Sequence, residues 1–485
     1  MPTATLALTV TGGVLALFGT YWDESWHSYV GRDSFFSPPH LALYAGVVVA
    51  LAGVGWWALA VRRVAGWGGV LQNRPLLAAA AGGATTLVAG PIDEAWHALF
   101  GRDAVLWSPP HMLGVIGMIA LAAGVLAGGS RTRHHRGWSL ALGVGLLGAA
   151  LVPVMEYEAD VPQFAALWYV PALVGGAVFT FGLVERALPG RWVVTQIAAA
   201  YTLLRIAILG TLTVQGFAAA FVPPLLVPAV VFDRARGWRP GPRATALVAS
   251  LLVAYAPAMN VGYRGLRLGP LEVIVGGALA ILLAWVFLAR TGRTTAARPS
   301  SRAGTVVLSL VVLAALAPTA ALAHDPGQGD PVVPVSLRAE VSTDEVEVRG
   351  TLARPNCGTL EPVATVARRA GRTHTGPLTA GDGCVFEGSV PLDEPGRWFV
   401  YLEFTDSEGE VLEAWLPVTP AETASLQPAT EQKDVWAYHP AGAEVRRATQ
   451  AISGVLLYSI AALLLGYAIR TPFGPEPARD RPGDG

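Results

Sequence analysis

Apolar runs of about twenty residues recur along most of this chain, and they constrain its fold more than any other feature. A helix of that length crosses the ~30 Å hydrocarbon core of a bilayer, and it satisfies its backbone hydrogen bonds internally, as lipid requires. Hydrophobic residues make up 53% of the sequence and charged residues 14%, which is typical of a polytopic α-helical membrane protein. The runs predict about twelve spans, at residues 4–22, 41–61, 75–92, 111–128, 138–155, 163–184, 192–214, 216–232, 244–260, 270–289, 303–323 and 449–469.

Arginine clusters mark every second loop between these runs, for example at residues 62–74, 131–136 and 234–243. Short loops rich in arginine stay on the cytoplasmic side of a membrane. We therefore expect a protein of the plasma (inner) membrane with a cytoplasmic N-terminus and with the lipid bilayer as a partner. The sequence contains no basic patch of the kind that binds nucleic acid, so no nucleic-acid partner is expected.

Residues 324–445 differ in composition, because short alternating runs of polar and apolar residues replace the long apolar ones. Turn residues separate these runs at the spacing of a small β-sandwich, which the count of spans puts on the extracytoplasmic side. Examples of the runs are Val335–Val341, Glu345–Arg349 and Arg397–Phe404. The only two cysteines, Cys357 and Cys384, lie in this region and favour one disulfide, with a reduced buried pair as the alternative.

We expect six parts along the chain. They are a duplicated two-span module (1–128), further membrane helices (129–302), a span or internal signal-like segment (303–323), the β-sandwich domain (324–445), a C-terminal span (446–470) and a disordered tail (471–485). The third part ends in Ala-Leu-Ala before His324, as a signal-peptide cleavage site would. Cleavage there would let the new N-terminal amine and the imidazole of His324 bind copper, whereas an uncleaved span is the simpler alternative.

One polar block occurs twice in the first module. Its first copy contains Asp23, His27 and His40, and its second copy contains Asp93, His97 and His111. The aspartate and the first histidine are four residues apart, so in a helix both side chains leave the same face. The second histidine follows Ser-Pro-Pro, which is typical of a helix start, where the positive end of the helix dipole disfavours a charged imidazole.

Each copy therefore offers one carboxylate and two imidazoles, a set that suits copper, iron, zinc or nickel better than magnesium or calcium. Ionisable groups at membrane spans are functional candidates by default. The repetition of all three side chains at nearly the same spacing favours a metal site in each copy. The alternative is that tryptophan and histidine at these helix ends only mark the membrane interface.

Other polar residues recur beside the predicted ligands and are candidates for orienting them. They are Glu24, Arg32 and Asp33 in the first copy and Glu94, Arg102 and Asp103 in the second. Local ion pairs within the loop and solvated carboxylates at a helix end are the alternatives. Arg205, in the middle of the seventh span, requires a buried partner or a polar cavity, and the acidic residues at the end of the fifth span are the nearest candidates, namely Glu156, Glu158 and Asp160.

The order Asp-x-x-Trp-His, Arg-Asp, an aromatic residue, Pro-x-His and Tyr44 resembles the signature of the C subunit of the copper membrane monooxygenases, which oxidise methane, ammonia and short alkanes. The resemblance covers roughly residues 15–120. It implies a first copper site at Asp23, His27 and His40 and a second site at Asp93, His97 and His111, where the family has asparagine in place of Asp93. The C-terminal domain is similar in type to the family's cupredoxin-like domain.

The resemblance implies a copper-binding protein with one or two ions, and zinc or iron are the alternatives. One function that follows is the activation of oxygen for hydroxylation of a small apolar substrate, with other monooxygenase-type subunits as partners. The other is copper acquisition, storage or delivery without catalysis, with a copper chaperone as partner. Whether the chain is an enzyme stays open, and the sequence identifies no catalytic residue.

Overall fold

The computed structural model describes residues 1–29, 35–100, 106–131, 136–159, 165–217, 220–259, 268–291, 328–352, 358, 360–369, 372–393, 396–420, 429–440 and 447–471. In this part of the chain, helices occupy the N-terminal two thirds, and a β-sheet and one further helix follow.

The first four helices form two hairpins, one for each copy of the polar block. They are α1 (Thr3–Tyr29), α2 (Pro38–Gln72), α3 (Arg74–Phe100) and α4 (Pro109–Ser130). Ser37 and Ser108 directly precede α2 and α4, and each of these helices begins with two prolines. Proline is tolerated there, because the backbone N–H groups of the first turn make no helical hydrogen bond. Among the described helices, α1 packs most extensively on α2, and α3 on α4.

Glycines allow the two helices of each hairpin to approach closely. Gly12 of α1 faces Gly46 of α2, and a Cβ atom added to Gly46 would lie 2.6 Å from the Gly12 carbonyl oxygen. Gly82 and Gly117 meet in the same way in the second hairpin, where the corresponding distance is 2.7 Å. Small residues at helix contacts are typical of packing within membranes. The internal repeat therefore includes the helix packing as well as the polar block.

The other helices of the N-terminal region are α5 (Arg136–Leu151), α6 (Met155–Glu158), α7 (Tyr169–Ala187), α8 (Val193–Val214), α9 (Leu226–Arg234), α10 (Pro240–Met259) and α11 (Gly277–Thr291). Short 3-10 turns, Val152–Val154 and Ala166–Trp168, precede α6 and α7, and a π-helical turn, Glu272–Gly276, precedes α11. The last helix, α12 (Arg447–Ile469), follows the sheet and packs on α3 and α4.

Nine helical segments in the described ranges are long and apolar enough to cross a membrane, so the prediction of a polytopic helical membrane protein is confirmed at this level. The span predicted at 216–232 is wrong, because Pro223 and Pro224 interrupt the helix and α9 is only nine residues long. The span predicted at 244–260 is helical in α10 but is not among the nine. The span predicted at 303–323 lies outside the described residues, and the total of twelve stays a prediction.

The C-terminal region contains nine strands: β1 (Gln328–Val341), β2 (Glu345–Leu352), β3 (Glu361–Arg369), β4 (Arg372–Gly376), β5 (Leu378–Ala380), β6 (Val385–Pro391), β7 (Trp398–Thr405), β8 (Val411–Val418) and β9 (Ala429–Pro440). They form one antiparallel sheet in the order β4-β3-β7-β8-β9-β1-β2-β6-β5. Exposed and buried residues alternate strictly along β2, as expected for a strand with one face on a core.

The sheet curls until its two ends meet, because β3 packs on β5 and β6. The Thr365 hydroxyl in β3 donates a hydrogen bond of 3.0 Å to the Pro377 carbonyl oxygen, directly before β5. The enclosed core includes Leu337, Trp398 and Phe404. The predicted sandwich of two separate sheets is therefore wrong, since the described strands form a single barrel-like sheet.

Candidate metal centre

The first triad (Asp23, His27 and His40) lies where α1 ends and α2 begins. Asp23 and His27 are one turn apart near the end of α1, and Asp23 Oδ2 is 3.8 Å from His27 Nδ1. His40 lies in the first turn of α2, where its Nε2 is 3.3 Å from Asp23 Oδ1. The hairpin thus gathers three side chains that are up to seventeen positions apart in the sequence.

The second triad (Asp93, His97 and His111) repeats this arrangement between α3 and α4. Asp93 Oδ1 is 3.6 Å from His97 Nε2, and Asp93 Oδ2 is 3.3 Å from His111 Nε2. One ligand atom from each of the three residues lies within 4.8 Å of the other two.

The segment that leads into α4 is fixed by hydrogen bonds. The Leu106 backbone N–H donates to Glu156 Oε1 at 2.5 Å, and the Trp107 indole N–H donates to the Pro153 carbonyl oxygen at 2.6 Å. The Tyr458 hydroxyl of α12 donates to the Trp107 carbonyl oxygen. Contacts from two separate parts of the chain, the segment of Pro153 and Glu156 and the helix α12, therefore hold the start of α4, and with it the position of His111.

Among the described residues, the second triad has the three-way spacing that one transition-metal ion requires, and the first triad does not meet the same 4.8 Å condition. Histidine nitrogens and carboxylate oxygens bind zinc at about 2.0–2.2 Å, so two ligands on a tetrahedral ion are about 3.3–3.6 Å apart. The four carboxylate-to-imidazole distances in the two triads run from 3.3 to 3.8 Å. Side-chain shifts would let the second triad close on one ion, and the first triad needs a larger movement to do so.

The burial of these groups also fits a cation. His40, Asp93 and His97 are buried. Asp23 Oδ1 is buried as well and accepts no hydrogen bond from a described residue, although His40 Nε2 is 3.3 Å away. An anionic oxygen in this condition is costly, and a bound metal ion would satisfy it.

Five of the six triad residues, all except His97, line one cavity of about 90 Å³ between the two hairpins, which has room for several water molecules. Its polar lining includes Asp23, Glu24, His27, His40, Asp93 and His111. Tyr44, Thr86 and Met118 complete part of the wall. Sequence analysis missed this shared cavity; the signal for it was the offset of two spans between the copies, which puts both blocks at the same membrane surface.

The predicted orienting residues behave differently in the two copies. Glu24 is 8% exposed and lines the shared cavity, whereas Glu94, at the equivalent position, is exposed to solvent. The other four, Arg32, Asp33, Arg102 and Asp103, lie outside the described residues. The repeat is therefore not symmetric around the cavity.

A buried ion pair lies directly behind the first triad. Arg205 of α8 donates to Glu158 Oε2 of α6 at 2.6 Å, and neither side chain is exposed. The guanidinium of Arg205 stacks on the ring of Tyr21 at 3.5 Å, and the Tyr21 hydroxyl lies 3.2 Å from that of Tyr201. The intramembrane arginine thus has a buried carboxylate partner, and it contacts α1 two residues before Asp23. Asp160 lies outside the described residues.

The described histidines of the β-sheet each lie beside an aspartate. His374 Nε2 is 3.0 Å from Asp393 Oδ1, and His439 Nε2 is 3.8 Å from Asp406 Oδ2. Burial raises the pKa of Asp393, but the hydrogen bonds and charges of His374 and Arg372 together lower it by more, so the pKa of Asp393 is below its ordinary value. His324 and Cys357 lie outside the described residues, and the predicted copper site and the Cys357–Cys384 disulfide stay predictions.

Comparison with known proteins assigns no family to this chain. No family model matches it, and no curated protein matches it. Among solved structures, a match is found to a protein named cytochrome c heme lyase CcmF, with 14% identity over 96% of this chain and 98% of that chain. The TM-score of that match is 0.17, so it carries no argument about the fold or function of this protein.

These comparisons correct the family resemblance. No family model and no curated protein matches the chain, so no comparison supports a C subunit of the copper membrane monooxygenases. The short signature of residues 23–44 is therefore not a mark of that family. What remains is the arrangement of the two triads themselves, which does not depend on the resemblance.

Proposed function

We propose that this protein is an integral membrane metal-binding protein that holds one transition-metal ion in each of the two triads. The observation that carries the proposal is the convergence of two carboxylate-and-imidazole sets on one cavity, with carboxylate-to-imidazole distances of 3.3–3.8 Å. The described residues contain a group with metal-ligand spacing at the second triad.

Copper is the metal we propose first. For a given set of nitrogen and oxygen ligands, divalent copper binds more tightly than divalent iron, nickel or zinc. Two imidazoles and a carboxylate suit all of these ions, so zinc and iron compete with copper for the sites. The availability of each metal in the cell then decides which ion is bound. The buried carboxylates favour a divalent cation over water in the cavity.

The role we propose is metal acquisition, storage or delivery without catalysis. Three protein ligands leave at least one coordination position through which a donor or an acceptor exchanges the ion. The triads lie at the ends of α1 and α3 and the starts of α2 and α4, as expected for sites near one membrane surface. We propose that the sheet and the triads lie on the same, extracytoplasmic side, because the arginine-rich loops mark the opposite side.

A second candidate function is metal-dependent oxidation of a small apolar molecule. A cavity of about 390 Å³ lies beside the metal cavity, and its walls come from apolar and small residues of α1, α2, α4, α5 and α8. Met118 lines both cavities. An apolar molecule held in the larger cavity would lie next to the wall of the metal cavity.

Metal content tests the proposal. We expect the detergent-solubilised protein, loaded with copper and desalted, to contain about two equivalents by inductively coupled plasma mass spectrometry, because each triad supplies three ligands. His27→Ala and His97→Ala should each lower this by about one equivalent. His374→Ala removes a histidine that lies in the β-sheet beside Asp393 and should leave the copper content unchanged.

Wild-type protein without bound copper, zinc or iron would contradict the proposal, as would equal metal content in all four proteins. The two roles are separated with the loaded protein. Transfer of copper to an apo-chaperone without consumption of oxygen supports handling, whereas copper-dependent oxygen consumption with an apolar substrate supports oxidation.

A further inference from the structure

We propose that the Glu24 carboxylate is a seventh protein ligand, shared by the two metal ions, so that the cavity holds a pair of coupled ions and not two independent ones. This inference rests on the proposed function. The observation behind it is the position of Glu24, a buried carboxylate in the wall of the cavity that both triads border.

Glu24 follows Asp23 on α1, so its side chain leaves the helix about 100° further round than that of Asp23. It lines the cavity together with Asp23 and His27 of its own hairpin and with His111 of the other hairpin. Glu24 therefore borders residues of both triads, as a ligand shared between them must.

The charges of the cavity favour a third carboxylate. Two divalent ions bring four positive charges, and Asp23 and Asp93 compensate two of them. A net charge of two in a small buried space is costly, because the interior screens charge poorly. An ionised Glu24 would halve the excess, and a carboxylate with two oxygens is able to bind one ion with each of them.

The repeat supplies its own control. Glu94 occupies the position in the second copy that Glu24 has in the first, but Glu94 is exposed to solvent while Glu24 is 8% exposed. Two separate and equivalent sites would not explain why Glu24 is buried and Glu94 is exposed. One shared ligand explains it, because a cavity between two hairpins needs a bridging group from only one of them.

The test uses full-length protein titrated with Cu(II) and observed by electron paramagnetic resonance. At two equivalents we expect the wild type to show a broadened or weakened signal, because two coupled Cu(II) ions do not give the spectrum of isolated ones. Glu24→Gln keeps the size of the side chain and removes its charge. It should restore a signal of isolated Cu(II) and weaken binding about tenfold or more. Glu94→Gln should behave like the wild type.

Three results would overturn the inference while leaving the proposed function intact. They are two equivalents of Cu(II) with isolated spectra in the wild type, a Glu24→Gln variant that matches Glu94→Gln in affinity and spectrum, and a Glu24→Gln variant that weakens one site without altering coupling. A wild type that binds no Cu(II) would instead contradict the proposed function itself. Thermal denaturation of each variant without metal checks that the substitution has not unfolded the protein.

Discussion

Arg205→Leu is expected to lower the stability of the helical region by about 3–5 kcal/mol, the usual cost of removing one partner from a buried ion pair. Arg205 and Glu158 are both fully buried and 2.6 Å apart. The substitution leaves the Glu158 carboxylate without its cation inside the membrane part, where water cannot replace it. It also removes the guanidinium that stacks on Tyr21 at 3.5 Å. Thermal denaturation in detergent, followed by tryptophan fluorescence, measures the loss.

The pair itself is tested by a double-mutant cycle. Glu158→Leu alone should also be strongly destabilising, but the double variant Arg205→Leu/Glu158→Leu should be more stable than either single one, because no unpaired charge is left. Arg236→Ala is the control, since Arg236 pairs with Glu185 at 2.8 Å but is 41% exposed, and its loss should cost about 1 kcal/mol or less. Additive effects of the two leucine substitutions would show that no such coupling exists.

The positions of most helices were readable from the sequence because lipid imposes one strong condition, a run of apolar residues about twenty long. The condition fails where a run is apolar but cannot continue as a helix. Pro223 and Pro224 lie inside the apolar stretch 216–232, and their missing N–H groups and rings break the helix there. Hydropathy alone does not detect a helix break at prolines. The proline pair is visible in the sequence, and taking it into account would have removed the span predicted at 216–232.

In the β-region, neighbouring residues identify a strand, but contacts between distant residues decide how the strands are arranged. Alternation along β2 identified a strand correctly, since it depends on neighbouring residues. Whether nine strands make two sheets or one depends on contacts between distant strands, such as β3 with β6, and no local pattern encodes these. The single barrel-like sheet was therefore beyond the sequence argument.

For the metal centre, the sequence identified which side chains to consider, because the block is duplicated. It did not identify how the copies relate in space. The shared cavity and the different exposure of Glu24 and Glu94 arise from packing between the hairpins, and the two glutamates have identical local contexts, Asp-Glu before x-Trp-His. The short signature also misled the family assignment, since a few residues at helix ends recur without common descent.

Gly46→Val is expected to disrupt the first hairpin, because a Cβ atom at position 46 would lie 2.6 Å from the Gly12 carbonyl oxygen and 2.8 Å from Ala16 Cα. These are backbone atoms, so no rotamer change relieves the overlap and α2 must move away from α1. Overpacking of this kind costs about 1–3 kcal/mol or more. The same movement separates His40 on α2 from Asp23 on α1, which are now 3.3 Å apart. The variant should therefore lose stability in thermal denaturation and, under the proposed function, retain about one equivalent of copper.

Gly55→Val is the matched control in the same helix, because a Cβ atom there would meet nothing within 4 Å. It should keep the stability and copper content of the wild type. Gly117→Val should reproduce the loss in the second hairpin, where the added Cβ would lie 2.7 Å from the Gly82 carbonyl oxygen and 2.9 Å from Thr86 N. If the two hairpins are equivalent scaffolds for one triad each, His97→Ala combined with Gly117→Val should remove no more copper than either change alone, whereas His97→Ala combined with Gly46→Val should remove nearly all of it. Equal copper content in these two double variants would contradict the assignment of one triad to each hairpin.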